Sequence, residues 1–384
     1  MQIRAPWLTR PETRAVMDAL TKDGARAYFV GGCVRNTIIG MEASDVDIAT
    51  DALPETVIAL AEAASLKALP TGIDHGTITV VSGGIPYEVT SFRKDVETFG
   101  RHAVVAYSDR IEDDAVRRDF TMNAIYADAE GWVVDPLDGL DDLLARHVRF
   151  IENAHERIAE DYLRILRFFR FHAWYGDPEK GPDPEGLAAC ADAAANLAQL
   201  SRERVGGEFR KLLMASDPRQ SLRCMDETGV LQAALPGARF DTAEKLIGLE
   251  LKHESTPDWV RRLVALEGAD PVESLRMSRK DAVHLKHLHA GLESDMGLPE
   301  LAYRFSGKVA EGVALLRSAA HGDPMQWDLH EQIERGLKAR FPVAAADLMD
   351  MYSGKALGDN LKYLENKWIQ SDFKLDKESL IDDL

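Results

Sequence analysis

The chain has few cysteines, no long apolar run and no overall excess of positive charge. Cys33, Cys190 and Cys224 are the only three cysteines in 384 residues, and their wide spacing fits neither a disulfide framework nor a zinc cluster. A reducing compartment, the cytoplasm, is expected. The opening stretch MQIRAPWLTRPETRAVMDAL lacks a secretory hydrophobic core and reads as an amphipathic helix, and no later segment approaches the apolar length that spans a bilayer. Internal repeats, low-complexity tracts and terminal tags are missing too. The net charge of −18 counts on its face against a nucleic-acid partner, because phosphate neutralisation drives such binding. Its distribution counts the other way: six arginines fall between 146 and 170, and six lysines or arginines between 202 and 223, enough to line a basic surface on an acidic body.

What is present is concentrated near the N-terminus. YFVGGCVRNTIIG at 28–40 reads as a buried strand (Tyr28, Phe29, Val30), a tight turn at Gly31 and Gly32, and a helix through Val34–Ile39. That geometry offers backbone N–H groups to a phosphate. SDVDIAT at 44–50 reads as the second strand, whose alternation puts Asp45 and Asp47 on one face, roughly 6 to 7 Å apart at Cα. Paired carboxylates of this kind hold magnesium, and two metals about 4 Å apart activate an attacking hydroxyl and stabilise a leaving oxygen. Asp-x-Asp alone is more often a solvated strand end; behind a Gly-Gly turn ending in Val34-Arg35 it points to nucleotidyl transfer. Glu88, on the strand YEVT, is either a third acidic group at the metals or a plain strand carboxylate.

The organisation changes near residue 140. Before it, strand-like ITVVSG, IPYEVTSF and GWVVDPL alternate with helical segments, as in a small α/β head; after it, apolar residues recur at helical spacing to the end, interrupted by GDPEKGPDPEG at 176–186 and LPGARFD at 235–241. Two clusters flank that boundary. RRDFTMNAIYA places Arg117 and Arg118, suited to phosphate oxygens, beside Asp119 and Asn123, suited to ribose hydroxyls, with an ion-paired helix start as the alternative. DPLDGLDDL at 135–143 reads as an Asp-capped turn into a helix. ERIAEDYLRILRFFRF at 156–171 reads as a helix apolar over most of its circumference, with Asp161 and Arg164 three apart on neighbouring azimuths, lining a pocket or forming an ion pair. Arg167 and Arg170 continue the spacing, and each step rotates about 60° backwards, so Arg170 falls opposite Asp161 on a straight helix and faces RNA or the protein body. His284, His287 and His289 in HLKHLHAG lack a carboxylate or cysteine partner at metal-ligand spacing, and His75 in GIDHGT reads as a turn residue.

GGCVRN with DVDIAT, RRDFTMNA, DPLDG and EDYLR stand in the order of the motifs of the class II tRNA nucleotidyltransferase and bacterial poly(A) polymerase family, which the chain resembles motif by motif over residues 25–175 and only in general character beyond. The resemblance implies a seahorse-like molecule: a polymerase-β-like α/β nucleotidyltransferase head over 1–140, a helical neck with the base-reading helix over 141–225, and a helical body and tail binding tRNA over 226–384. It implies magnesium on Asp45 and Asp47, triphosphate contacts from the glycine turn (Gly31, Gly32) and Arg35, nucleotide contacts from Arg117, Arg118 and Asp119, and base reading by Asp161 and Arg164, with Arg167 and Arg170 in the same nucleotide-binding set. Where the family pattern GGxVRD ends in Asp, this chain has Asn36, which removes a charge but keeps hydrogen bonding. With no His-Asp dipeptide anywhere in the chain, the phosphohydrolase domain of some relatives is not expected.

The base-reading assignment agrees with chemistry. A carboxylate accepts from cytosine N4 or adenine N6 while a guanidinium donates to the adjacent ring nitrogen. Guanine and uracil present a carbonyl and a ring N–H to those same groups, leaving like faces opposed in a desolvated site. SFRKDVETFGRHAVVAY at 91–107 reads as a charged connector, and the resemblance makes it the flexible loop that helps switch between CTP and ATP. The expected activity is therefore addition of C, C and A to a tRNA 3′ end from CTP and ATP. A poly(A) polymerase shares every head motif, and a non-catalytic RNA-binding module on the same fold is the alternative of another class.

Overall fold

The computed structural model describes residues 1–384 except 44, 100, 101, 323, 326, 327 and 383; for 95–99 and 102–105 it describes the backbone only. Two compact units result, Met1–Pro236 and Gly237–Leu384.

The first unit is built on a seven-stranded sheet. Its strands are β1 (Ala27–Val30), β2 (Asp47–Thr50), β3 (Lys67–Gly72), β4 (Thr77–Ser82), β5 (Ile85–Ser91), β8 (Tyr126–Ala127) and β9 (Val133–Val134), in the order β3-β4-β5-β2-β1-β8-β9. Only β2 and β5 run parallel; β1 lies antiparallel between β2 and β8. The central strands are apolar on both faces, with Phe29, Ile48 and Val89 buried on one and Val30 and Ala49 on the other. Pro11–Thr21 and Pro54–Ala63 pack on each other and on β4, and Trp7 meets the Phe29 ring edge-on at 4.9 Å.

Residues 93–107 are not an irregular connector. They form a hairpin, β6 (Arg93–Phe99) with β7 (His102–Tyr107), a two-stranded sheet separate from the main one, with a register shift between Asp95 and Glu97. The tip, 100–101, lies outside the described residues.

Beyond β9 the named elements are helical. The stretch 156–171, expected as one helix, is two: Ala154–Glu160 and Leu163–Tyr175, with Asp161 between them in extended conformation (φ −153°, ψ 105°). The reason is local. The Asp161 carboxylate accepts from Leu163 N at 3.2 Å and its carbonyl from Arg164 N at 2.9 Å, so Asp161 starts the second helix instead of continuing the first. Leu163–Tyr175 is then apolar as expected, burying Leu163, Ile165, Leu166, Phe168, Phe169 and Phe171. Its Phe168 and Phe171 join Phe120 and Phe150 in a ring cluster with centroids 4.9 to 6.3 Å apart, which fastens this helix to the RRDF segment. Asp135 accepts from Gly139 N and Leu140 N at 2.9 and 2.8 Å, the capped turn expected of DPLDG.

The second unit is helical throughout its named elements. At its centre Glu250 takes two arginines, Arg261 at 2.6 Å and Arg262 at 2.6 Å, all three at most 2% exposed. His284 is spent on Asp258, at 2.7 Å, and His287 stacks on Phe305. Among the described residues no helix is long and apolar enough to cross a membrane.

Candidate active site

Gly31 sits at φ 71°, ψ −121°, a conformation that costs a side-chain-bearing residue and costs glycine little, and it ends β1 and caps the helix Gly32–Ile38. Gly32 is already helical, so the turn needs only the first glycine. Because Val30 pairs with Asp47, the turn and the first residue of β2 are brought side by side. Asp47 is in turn the register partner of Glu88 on β5. In a sheet, register partners point to the same face, so the aligned carboxylate pair is Asp47 with Glu88. The expectation of one strand carrying both Asp45 and Asp47 is corrected here: β2 begins at Asp47, opposite Val30 at the end of β1, and Asp45 lies before the strand. Asp45 stays within electrostatic reach. The Asp47 carboxyl is pushed up to about 6, first by burial, then by Glu88 and Asp45, against the opposing charge of Arg118.

Such crowding of carboxylates suits a hard divalent cation, which relieves the repulsion and takes oxygen ligands. Among the described residues no three His, Cys, Asp or Glu side chains are grouped so as to hold a metal ion by themselves. A site that completes its shell with substrate phosphates and water needs no such cage.

The arginines divide into buried and presented. Arg35 is 6% exposed: it donates to Asn123 and Asn36 and, at 2.8 Å, to the Tyr175 hydroxyl, and its guanidinium lies 4.1 Å from the Tyr175 ring centroid. Burial lowers its pKa. The structure thus ties Arg35 to the far end of the helix Leu163–Tyr175. Asn36 returns its amide to Glu42 O at 2.9 Å. Arg118 lies beside the glycine turn, its Nη1 3.6 Å from the point a Cβ on Gly31 would occupy. Asp119, 7% exposed, accepts from Asn123 at 2.8 Å and from Arg167 at 2.7 and 2.5 Å; burial alone would raise its pKa, but Arg167 and Asn123 hold it down at about 2. Arg117 approaches Asp114 at 3.6 Å.

Asp161 and Arg164 do not pair with each other. Asp161 is held by Arg204 at 2.6 and 3.1 Å; burial works to raise its pKa, and the bonds from Arg204 and from the Leu163 N–H lower it. Arg164 donates to Glu160 at 2.5 Å and to the carbonyls of Arg157 and Arg117 at 2.9 and 3.1 Å. Arg170 meets Glu208 at 2.5 Å, so Arg170 and Arg167 both face the protein body, with Arg167 4.0 Å from Glu208. Asp114, Glu160, Arg204, Glu208 and Tyr175 escaped the sequence reading. Asp114 and Glu160 each stand four residues before an arginine they bind, a spacing visible in the sequence although each pair straddles a helix end; Arg204, Glu208 and Tyr175 meet their partners only through packing.

A glycine turn at a strand end, carboxylates on two neighbouring strands and Arg118 beside the turn are the features of a nucleotidyltransferase head. Comparison with known proteins agrees. Residues 27–149 match the Poly A polymerase head domain and residues 182–241 the probable RNA and SrmB-binding site of polymerase A. The chain is 32% identical over 93% of its length, and 86% of the relative's, to the mitochondrial CCA tRNA nucleotidyltransferase 1 of Danio rerio. It is 30% identical over 96% and 95% to the CCA-adding enzyme of Lactococcus lactis subsp. lactis. The crystal structure of the Bacillus stearothermophilus CCA-adding enzyme in complex with CTP superposes with a TM-score of 0.74, 28% identity and 95% and 94% coverage. The chain belongs to the class II CCA-adding tRNA nucleotidyltransferase and poly(A) polymerase family.

Proposed function

We propose that this chain adds C, C and A to the 3′ end of tRNA without a nucleic-acid template, using CTP and ATP with magnesium and releasing pyrophosphate. The observation that carries this reading is the carboxylate cluster beside the glycine turn, Asp47 against Glu88 with Asp45 near, in a chain related over nearly its whole length to CCA-adding enzymes. The tRNA 3′ oxygen bonds to the α-phosphorus of the incoming nucleotide, the bond from that phosphorus to the bridging oxygen breaks, and pyrophosphate leaves. Asp45 and Asp47, with Glu88 as a third oxygen donor, would hold Mg2+, which when bound supplies activation of the hydroxyl and charge neutralisation at the phosphates.

Around that centre the Gly31–Gly32 turn gives the triphosphate close approach, and Arg117 and Arg118 supply positive charge. Arg35, buried, supports the turn from behind, and Asp119 with Asn123 borders the ribose. Asp161 and Arg164 read the base edge, and Arg167 and Arg170 brace that helix through Asp119 and Glu208. Residues 1–140 serve as catalytic head, 141–225 as neck and 226–384 as the tRNA-binding body and tail. Three cysteines with no disulfide among them suit a cytoplasmic enzyme.

The test is incubation of the purified chain with tRNA lacking its 3′ CCA, magnesium and labelled CTP or ATP. Addition that stops after three nucleotides is expected. A long A tract would make the chain a poly(A) polymerase, and no incorporation would leave an RNA-binding module.

A further inference from the structure

We propose that Asp114 is the positioning residue that aims Arg118 at the triphosphate. This rests on the nucleotidyl-transfer reading above. Asp114 lies on the short helix Ile111–Val116 with its side chain completely buried. An isolated carboxylate is not kept charged in such a place; this one is, because Arg118 and Arg117 outweigh the burial that would raise its pKa.

The geometry is directional. One oxygen, Oδ2, accepts from Arg118 Nε at 3.2 Å, from Arg118 Nη2 at 2.9 Å and from the Tyr126 hydroxyl at 2.8 Å. Tyr126 is itself a buried residue of β8, so the clamp is anchored in the central sheet, and its hydroxyl also receives Arg118 Nε at 3.2 Å. Two of the three guanidinium nitrogens are therefore fixed from behind. The third, Nη1, makes no hydrogen bond among the described residues and stands 3.6 Å from the point a Cβ on Gly31 would occupy, beside a turn residue that carries no side chain. The charge of Arg118 also reaches Asp47, whose carboxyl it pulls down against burial. A planar fork held on one edge and open on the other is the arrangement that recognises a phosphate oxygen without paying side-chain entropy at each turnover.

Asp114 hydrogen-bonds Arg118 and only approaches Arg117, at 3.6 Å, so its effect is expected to pass through Arg118, and that decides the experiment. Affinity for CTP and for CMP is measured by calorimetry on the full chain for wild type, Asp114→Asn, Arg118→Met, the double variant and Tyr126→Phe, with melting temperatures alongside. Asp114→Asn is expected to weaken CTP about tenfold, the loss of one charge-assisted bond, while CMP binding changes little. The double variant should match Arg118→Met alone. Tyr126→Phe keeps every charge and should give a smaller loss of the same phosphate-selective kind, which keeps the proposal testable if Asp114→Asn fails to fold. Multiplying effects of Asp114→Asn and Arg118→Met, equal losses for CMP and CTP, or unchanged CTP affinity in a folded Asp114→Asn would each overturn it. A wild-type chain that binds no CTP would overturn the nucleotidyl-transfer reading first, and this inference with it.

Discussion

Asp161 and Arg204 face each other as a two-pronged ion pair, with the Arg204 guanidinium donating to the two carboxylate oxygens at 3.1 and 2.6 Å. They are 43 residues apart in sequence. The pair keeps Asp161 an anion at neutral pH, which is the state that can accept a base amine, and it holds the carboxylate in one direction while the turn at Asp161–Tyr162 starts the helix behind it.

The proposed base selection rests on that carboxylate. Asp161→Ala removes the amine acceptor, so discrimination of CTP over UTP and of ATP over GTP is expected to fall by about 1 to 3 kcal/mol, the cost of an unmatched buried polar group. The measurement is the ratio of turnover efficiencies at equal magnesium and tRNA. Ratios that hold while the overall rate drops would assign selectivity elsewhere.

The carboxylate cluster makes a second prediction. Asp45→Ala and Asp47→Ala are each expected to lower turnover by several orders of magnitude with tRNA affinity kept. Because the Asp47 pKa is raised in the folded chain, its charge opposes folding at neutral pH in the absence of a cation, so Asp47→Ala should melt no lower than wild type. Near-normal turnover in either variant removes that residue from the chemistry.

The hairpin makes a third. Replacing residues 95–105 with a short turn, so that the Lys94–Ala106 pair of β6 and β7 closes directly, should spare addition of the two cytidines and abolish the terminal A. Products are resolved on a sequencing gel. Equal loss of both steps would mean that the hairpin supports the head as a whole.

Acid stability is expected to depend on His172, 5% exposed and bonded through Nδ1 to the Ser221 hydroxyl at 2.8 Å. Burial lowers its pKa to about 4 from an ordinary 6.5. Between those values the unfolded chain holds the proton and the folded one does not, so this group's contribution is lost as pH falls from 6.5 towards 4, by about 3 kcal/mol in all. Urea midpoints at pH 7 and pH 4.5 should fall less for His172→Gln than for wild type. Parallel falls would assign the acid sensitivity to other groups.

Some of this protein is decided locally and was legible without a structure. The Gly31 turn needs only a residue that tolerates positive φ, and the buried face of Leu163–Tyr175 needs only period-3.6 apolar spacing, so both follow from neighbouring residues. The two-part division into strands and then helices follows for the same reason. Local reading failed where two local rules competed. Asp161 lies in a run that favours helix, yet its own carboxylate and carbonyl satisfy the N–H groups of the next turn and break it. Likewise, the segment read as a charged connector pairs with itself as a hairpin, through backbone bonds that charge and glycine content do not report.

The site itself depended on tertiary structure. Glu88 became the partner of Asp47 through the parallel register of β2 and β5, Arg204 reached Asp161 from another helix, and Tyr175 closed over Arg35 across 140 residues. Residue types and motif order were enough to name the chemistry, because phosphate, metal and base edge each demand particular donors. Which carboxylate aligns with which, and which arginine stays open, were left to packing, since ion pairs form between whatever charges the fold brings within a few ångströms and nothing in their sequence separation encodes that distance.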